Sequence, residues 1–419
     1  MPTNRPPWYY LLLLILAGES VFILPFVLPR VFRPTVLDVF GLDNTQLGLC
    51  FSAYGVVALV SYLFGGPLAD RFPPRKLMAV ALWLTAIGGV AMSTFPTYGE
   101  LRWLYGYWGF TTIFLFWAAM IKATRVWGGG DSQGKAFGFL DGGRGLVGAL
   151  FGAAGVLVFS QFLAETALTG SAASGGFRVV VLAASAVVAL VGVLVWLFLR
   201  ADRSLEEEIL LDRITVAQIG TVLRLPSVLL LMVIILCAYT GYKVTDVFSL
   251  YARDVLGYDE VASAKVGTAL LFIRPVVGVV IGILADRSRT TLWLFVGFVL
   301  SALGALFFAA GFVATAPTLF VFATLTVAVG VYSLRCLYFA VMDLGQIPLA
   351  LTGTAVGLIS LIGYTPDIFA GPLMGYFLDS SPGLAGQQRV FWMVVVFSTV
   401  GGLAAWWYHV LYGDKGAPR

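Results

Sequence analysis

Eight ionisable residues lie inside apolar runs of this 419-residue chain: Glu19, Asp141, Arg144, Lys243, Asp246, Arg274, Arg335 and Asp367. A charge at the centre of a bilayer costs at least about 2.5–3.5 kcal/mol on insertion scales, so each of them needs a partner or a task. Two chemistries suit these residue types. Guanidinium forks grip a carboxylate, phosphate or sulfonate bidentately, which makes Arg335 and Arg274 candidate ligands for an anion. A buried carboxylate can carry a proton, because burial favours the neutral form and a nearby cation the charged form. Glu19 and Asp367 are the candidate carriers. Glu19 sits in LLLLILAGESVFILPFVLP (11–29), where only it and Ser20 are neither apolar nor Gly nor Pro. The competing role for all of these charges is structural. Asp141 and Arg144 are three residues apart, as are Lys243 and Asp246, a spacing at which charges on one helix neutralise each other. Glu19 would then pair with Arg335 or Arg274 to fix helix packing.

The elements that position these residues follow from composition. The chain is 59% hydrophobic and only 11% charged, against about 25% charged in a soluble domain, so too few charges exist to cover a water-facing surface. Cys50, Cys237 and Cys336 all fall in apolar runs and read as small buried side chains. With His409 as the single histidine, neither a metal site nor a disulfide framework is expected. No nucleophile set appears, so an enzyme is not expected, nor a cofactor or a nucleic-acid partner. Residues 129–135 spell GxxxxGK, but Ala136 stands where Ser or Thr should hold magnesium, and an apolar run precedes it instead of a strand. Nucleotide binding is therefore not expected there.

Apolar runs of span length lie at about 10–29, 45–65, 77–95, 103–126, 136–160 and 178–199, then at about 226–250, 263–284, 291–313, 316–341, 350–378 and 389–411. The first run exceeds the roughly 7–15 residues of a signal-peptide core and reads as a retained span, with Trp8, Tyr9 and Tyr10 as its interfacial anchor. The two sets repeat. VLDVFGLD (36–43) aligns with ARDVLGYD (252–259) at an offset of 216, and the same register sets GGPLADR (65–71) over IGILADR (281–287). Two related six-span halves account for this, and substrate sites in such folds lie near the midplane at the repeat interface. Fifteen basic residues fall at ends and loops on the N-terminal side of the membrane and seven on the other, which predicts both termini in the cytoplasm. From the ~1.5 Å rise per residue, Glu19, Arg274 and Arg335 all lie about 12–18 Å from the inner boundary, near the midplane.

GGPLADRFPPRK (65–76) resembles the loop signature of the major facilitator superfamily, G-x-x-x-D-R-x-x-x-R-K, matched by Gly66, Asp70, Arg71, Arg75 and Lys76. A weaker second copy holds Gly282, Asp286, Arg287 and Arg289. The resemblance implies an all-α integral membrane fold of twelve transmembrane helices in two six-helix pseudo-symmetric bundles, 1–200 and 226–419, joined by a cytoplasmic linker at 201–225. It implies gating roles for Gly66, Asp70, Arg71, Arg75, Asp286 and Arg287. It implies a central cavity lined by spans one, four, seven and ten, faced by Glu19 and Arg335, with Arg274 directed to it as well. Tyr239, Tyr242 and Lys243, around Gly241, fall where this family often breaks the seventh helix. Trp117, with Phe114 and Phe116, would supply an apolar wall. The fifth span, GFLDGGRGLVGALFGAAG (138–155), lacks the Gly-Pro-Gly-Gly type motif of drug-efflux members, and residues 122–145 look loosely like sugar-phosphate and organic-anion members.

The expectation is a secondary active transporter of a small organic anion, working by rocker-switch alternating access with proton coupling. Arg335, Arg274, Glu19, Lys243, Tyr239, Tyr242 and Trp117 are the expected substrate contacts, and Glu19 and Asp367 the proton carriers. Its partners would be the small anion, protons and the lipid bilayer, and it would act as a monomer in a bacterial inner membrane, with no leader or organelle address. The rivals are an exporter of a cationic or zwitterionic compound held by Glu19 and Asp367, and a non-transporting membrane sensor.

Overall fold

The computed structural model describes residues 7–128, 133–166, 172–199, 220, 222–345, 347 and 352–413. The central linker lies almost wholly outside these residues, as do residues 129–132 of the GxxxxGK stretch. So do the side chains of Asp70 and Asp286, while Gly66 lies in helix Asn44–Arg71. The described elements are helices. Twelve of them are long and apolar enough to cross a membrane: Trp8–Val31, Asn44–Tyr62, Pro74–Met92, Tyr98–Thr124, Gly138–Leu163 and Ala173–Phe198, then Pro226–Asp246, Glu260–Ala285, Thr290–Ala309, Thr318–Leu337, Ala355–Ser380 and Leu384–Tyr412. They are called spans one to twelve below. Each expected apolar run finds its span. The chain forms two compact units, Met1–Asp212 with Asp259–Phe272, and Arg213–Tyr258 with Ile273–Arg419.

The repeated loop has a local cause. Helix Arg33–Phe40 stops at Gly41, which takes φ +60°, and Leu42 N–H returns to the Leu37 carbonyl at 2.9 Å. Only glycine enters this left-handed region without cost, so it ends a helix cleanly. Asp43 then caps span two, accepting from Gln46 N–H at 2.6 Å while Gln46 Oε1 accepts from Asp43 N–H at 3.1 Å. In the second half Gly257 takes φ +71° and Asp259 accepts from Ala262 N–H at 2.7 Å, ahead of span eight. The repeat DVFGLD and DVLGYD is one stop-and-restart signal written twice.

Four spans are interrupted, span eleven among them, where helix Thr352–Gly363 ends and helix Pro366–Ser380 begins. Span one is α-helical over Trp8–Phe22, becomes a π-helix at Ile23–Val27 around Pro25, and resumes at Leu28. Pro25 has no N–H to give the ladder, so the register shifts. Span four is π-helical over Phe110–Trp117. There Thr112 donates its hydroxyl to the Trp108 carbonyl at 2.7 Å and meets the Tyr54 hydroxyl of span two at 2.7 Å, so polar side chains hold the shifted turn. Gly109 opens that approach: a Cβ there would lie 2.6 Å from the Tyr54 carbonyl oxygen. Span seven ends its α-helix at Lys243, passes through a 3-10 turn at Val244–Asp246, and continues as Phe248–Asp254. The break falls two residues beyond the region around Gly241 where the family resemblance led it to be expected.

Candidate functional site

In the first unit, Glu19 of span one meets Arg144 of span five, with Oε2 and Nε 3.3 Å apart and both side chains under a tenth exposed. The pair is in ionic contact, and neither atom makes a hydrogen bond of good geometry. Aromatic faces complete the surroundings of the guanidinium. Its carbon lies 5.4 Å from the Phe22 ring centre and 5.6 Å from that of Trp117, and the two rings meet edge to face at 6.2 Å. Such cation–π contacts are worth about 2 kcal/mol when desolvated. Phe22 immediately precedes the π-turn of span one and Trp117 ends that of span four, so both register shifts aim a ring at Arg144. Along the helix the expected partner of Arg144 was Asp141. Across helices it is Glu19, and the reason is glycine. A Cβ at Gly148 would stand 2.8 Å from Glu19 Oε1, one at Gly18 would stand 3.1 Å from Arg144 Cδ, and one at Gly143 would stand 2.7 Å from Ile15. Bare backbone on both helices brings them close enough for side chains to pair.

Gly148→Ala is therefore expected to push the carboxylate aside and cost roughly 1–3 kcal/mol, as overpacking does. The control is Gly142→Ala on the same helix, where a Cβ meets nothing within 4 Å and alanine should be neutral or stabilising by up to about 1 kcal/mol. Melting of the two purified variants in detergent checks this. Equal midpoints would mean that the glycine makes no room for the pair.

In the second unit, Lys243 Nζ lies 2.7 Å from Asp367 Oδ1. The expected partner at helical spacing was Asp246, which is buried in the 3-10 turn just beyond. The Tyr239 hydroxyl also donates to Asp367, 3.0 and 3.2 Å from its two oxygens. Asp367 thus links the seventh and eleventh spans. Tyr239 and Tyr242, three apart on span seven, stack at 5.7 Å. Arg335 of span ten lays its guanidinium over them, its carbon 4.3 Å from the Tyr242 centre and 5.7 Å from that of Tyr239. Lys243 Nζ is 5.6 Å from the same Tyr239 centre. Tyr364 packs edge-on to Tyr239 at 4.9 Å, and its hydroxyl meets that of Tyr338 at 3.2 Å. Arg274 is buried on span eight, 7% exposed, ahead of Pro275.

The sequence-expected residues thus divide between two clusters. Glu19 and Trp117 join Arg144 in the first unit, and Lys243, Asp367, Tyr239, Tyr242 and Arg335 join one another in the second. Sequence reading missed Phe22, Gly18 and Tyr364, whose types are ordinary in membrane helices. Of the expected gating residues, Arg71 and Arg287 are exposed. Arg75 lies 5.5 Å over the Trp196 ring and donates to the Trp196 carbonyl at 3.4 Å. Another missed contact stands beside them. Buried Lys122 of span four donates to the Ala69 carbonyl at 3.0 Å, in the last turn of the helix that runs into the loop signature, where a cation suits the negative helix end. The described residues hold no group of three or more His, Cys, Asp or Glu that suits a metal.

The model of the Major Facilitator Superfamily matches residues 10–371. The chain is 28% identical over 415 residues to inner membrane protein YqcE of Escherichia coli (strain K12), covering 93% of each chain. A 58-residue stretch, 14% of this chain and 13% of the relative, is 40% identical to the probable sulfoacetate transporter SauU of Cupriavidus necator. Among solved structures, a bacterial homologue of the human lysosomal transporter Spinster, in an inward-facing and occupied conformation, is similar with a TM-score of 0.75. It is 17% identical, with 98% of both chains covered, a likeness of fold alone.

Proposed function

We propose that this chain, which belongs to the Major Facilitator Superfamily and is a multi-pass membrane transporter and not an enzyme, carries a small organic anion, coupled to protons. One observation carries the reading. Two cations, Arg335 and Lys243, converge on one tyrosine ring of the second unit, at 5.7 and 5.6 Å from the Tyr239 centre. Asp367 offsets one of these two charges, so the cluster of two cations and one carboxylate carries a net positive charge, and a carboxylate, sulfonate or phosphate fits a planar fork beside a point charge. Arg274, buried on span eight of this unit, is the reserve ligand. The name of the SauU relative, which says that it carries sulfoacetate, supports a small organic anion over the short stretch it shares. Glu19 and Asp367 are the carboxylates assigned to the proton, and the gating roles stay with Asp70, Arg71, Arg75, Asp286 and Arg287. The chain works by alternating access, as a monomer, in an inner membrane like that named for YqcE, with both termini cytoplasmic.

The test is uptake by proteoliposomes with an internal pH dye, across four anions: sulfoacetate, ethanesulfonate, glycolate and ethyl phosphate. Wild type should take up at least one of them with protons. Glu19→Gln should lose proton-driven accumulation by at least tenfold while keeping anion exchange. Uptake of none of the four, or of a cationic compound in their place, overturns the anion reading. Unchanged accumulation by Glu19→Gln leaves Glu19 as the structural partner of Arg144.

A further inference from the structure

The two halves contain the same device with its charges exchanged. In the first unit a carboxylate on span one meets a cation on span five; in the second, a cation on span seven meets a carboxylate on span eleven. The six-plus-six repeat makes these spans counterparts in sequence. Their surroundings differ. Glu19 is confined by the backbone of Gly148, and Arg144 lies between two aromatic faces. Asp367 is held by side chains alone, the Lys243 ammonium and the Tyr239 hydroxyl, and is more exposed, 12% against 6% for the Glu19 side chain. Arg335 lies over the same tyrosine pair.

Resting on the anion-transport reading above, we propose that Asp367 is an internal counter-ion which the anionic group of the substrate replaces on Lys243. The incoming anion takes the ammonium, with Arg335 as its second cation. The released Asp367 carboxylate accepts a proton from water, because two anions cannot both stay charged in one partly desolvated site. When the anion leaves, Lys243 returns to Asp367 and the proton goes back to water. Anion and proton thus bind this cluster and leave it together, and no net charge is added to it. Lys243 and Tyr239 of span seven contact Asp367, while Tyr364 packs on the Tyr239 ring and Arg335 of span ten lies over it. Asp246 lies one turn beyond Lys243. A guanidinium does not lose its proton in proteins, and the proton is assigned to the carboxylate that the substrate displaces.

The sign of the pH effect follows. Binding that takes up one proton tightens as pH falls, by up to about tenfold per unit. Calorimetric titration of the full-length protein in detergent, in two buffers of different ionisation enthalpy, counts the protons. The probes are the same four anions. Wild type should take up about one proton per anion bound. Asp367→Asn should bind at least tenfold tighter at neutral pH, with no proton uptake and no pH dependence, because the competitor is neutral. Tyr239→Phe removes one of the hydrogen bonds holding Asp367 and should bind about threefold to tenfold tighter while still taking up the proton. If Asp367→Asn does not fold, Tyr239→Phe and the wild-type pH dependence decide the matter alone. Weaker binding in either variant, or binding by wild type without proton uptake, overturns the displacement and leaves the anion reading standing. Binding of none of the four by wild type overturns both.

Discussion

Arg144→Met is expected to be the most destabilising single change in the first unit, by about 3–5 kcal/mol, because it strands Glu19 as an uncompensated buried charge. Among the described contacts of the pair, Phe22 and Trp117 offer rings, and the adjoining turn of span five offers glycine backbone at Gly148. The bridge itself contributes far less than that figure. Replacing both partners by residues of similar volume is often neutral or stabilising, since desolvating two charges cancels most of their attraction. The double variant Glu19→Met with Arg144→Met should therefore melt near wild type, although each single variant melts well below it. Detergent melting curves of the four proteins close the cycle. A double variant as unstable as Arg144→Met would show that arginine matters through its packing on the two rings, not through Glu19. The double variant should still lose proton-driven uptake, which separates the fold's need for neutrality from the transporter's need for a carboxylate.

What could be read in the sequence was what is local. Each span announces itself by length and apolarity, and the stop-and-restart at Gly41 and Asp43, repeated at Gly257 and Asp259, depends only on residues a few positions apart. The ionisable residues in apolar runs were visible for the same reason. Their pairing across helices was not. Helical spacing pairs Arg144 with Asp141 and Lys243 with Asp246, and it says nothing of the contacts between helices, from Glu19 to Arg144 and from Lys243 to Asp367. A pattern read along one helix carries no information about which neighbour has been thinned to glycine, and glycine is what brings span one to span five. In the second unit the α-helix ends at Lys243 itself, so the ammonium stands at a helix terminus and reaches the eleventh span. Lys122 shows the same limit. A lysine near a span end satisfies the preference for basic residues on one side of a membrane, and only the structure shows that it holds the Ala69 carbonyl.

Arg335→Gln should all but abolish anion uptake, with kcat/KM lower by about thirtyfold to a thousandfold, corresponding to the roughly 2–4 kcal/mol that a charge-assisted bidentate contact contributes beyond a neutral one. Stability should move much less. The side chain lies over the faces of Tyr242 and Tyr239 at 4.3 and 5.7 Å, and glutamine keeps a planar polar end that can lie on the same rings. Arg335→Lys is the sharper comparison. Lysine retains the charge but concentrates it at one point and loses the fork. If Arg335 acts only by offsetting negative charge, lysine should restore most of the uptake; if it grips the anion with two parallel N–H groups, lysine should recover a small fraction, with KM raised more than kcat is lowered. Initial rates over a range of anion concentrations in proteoliposomes distinguish these outcomes. Uptake by Arg335→Gln at the wild-type rate would remove this residue from the site and move the binding role to Arg274, which is buried on span eight of the same unit.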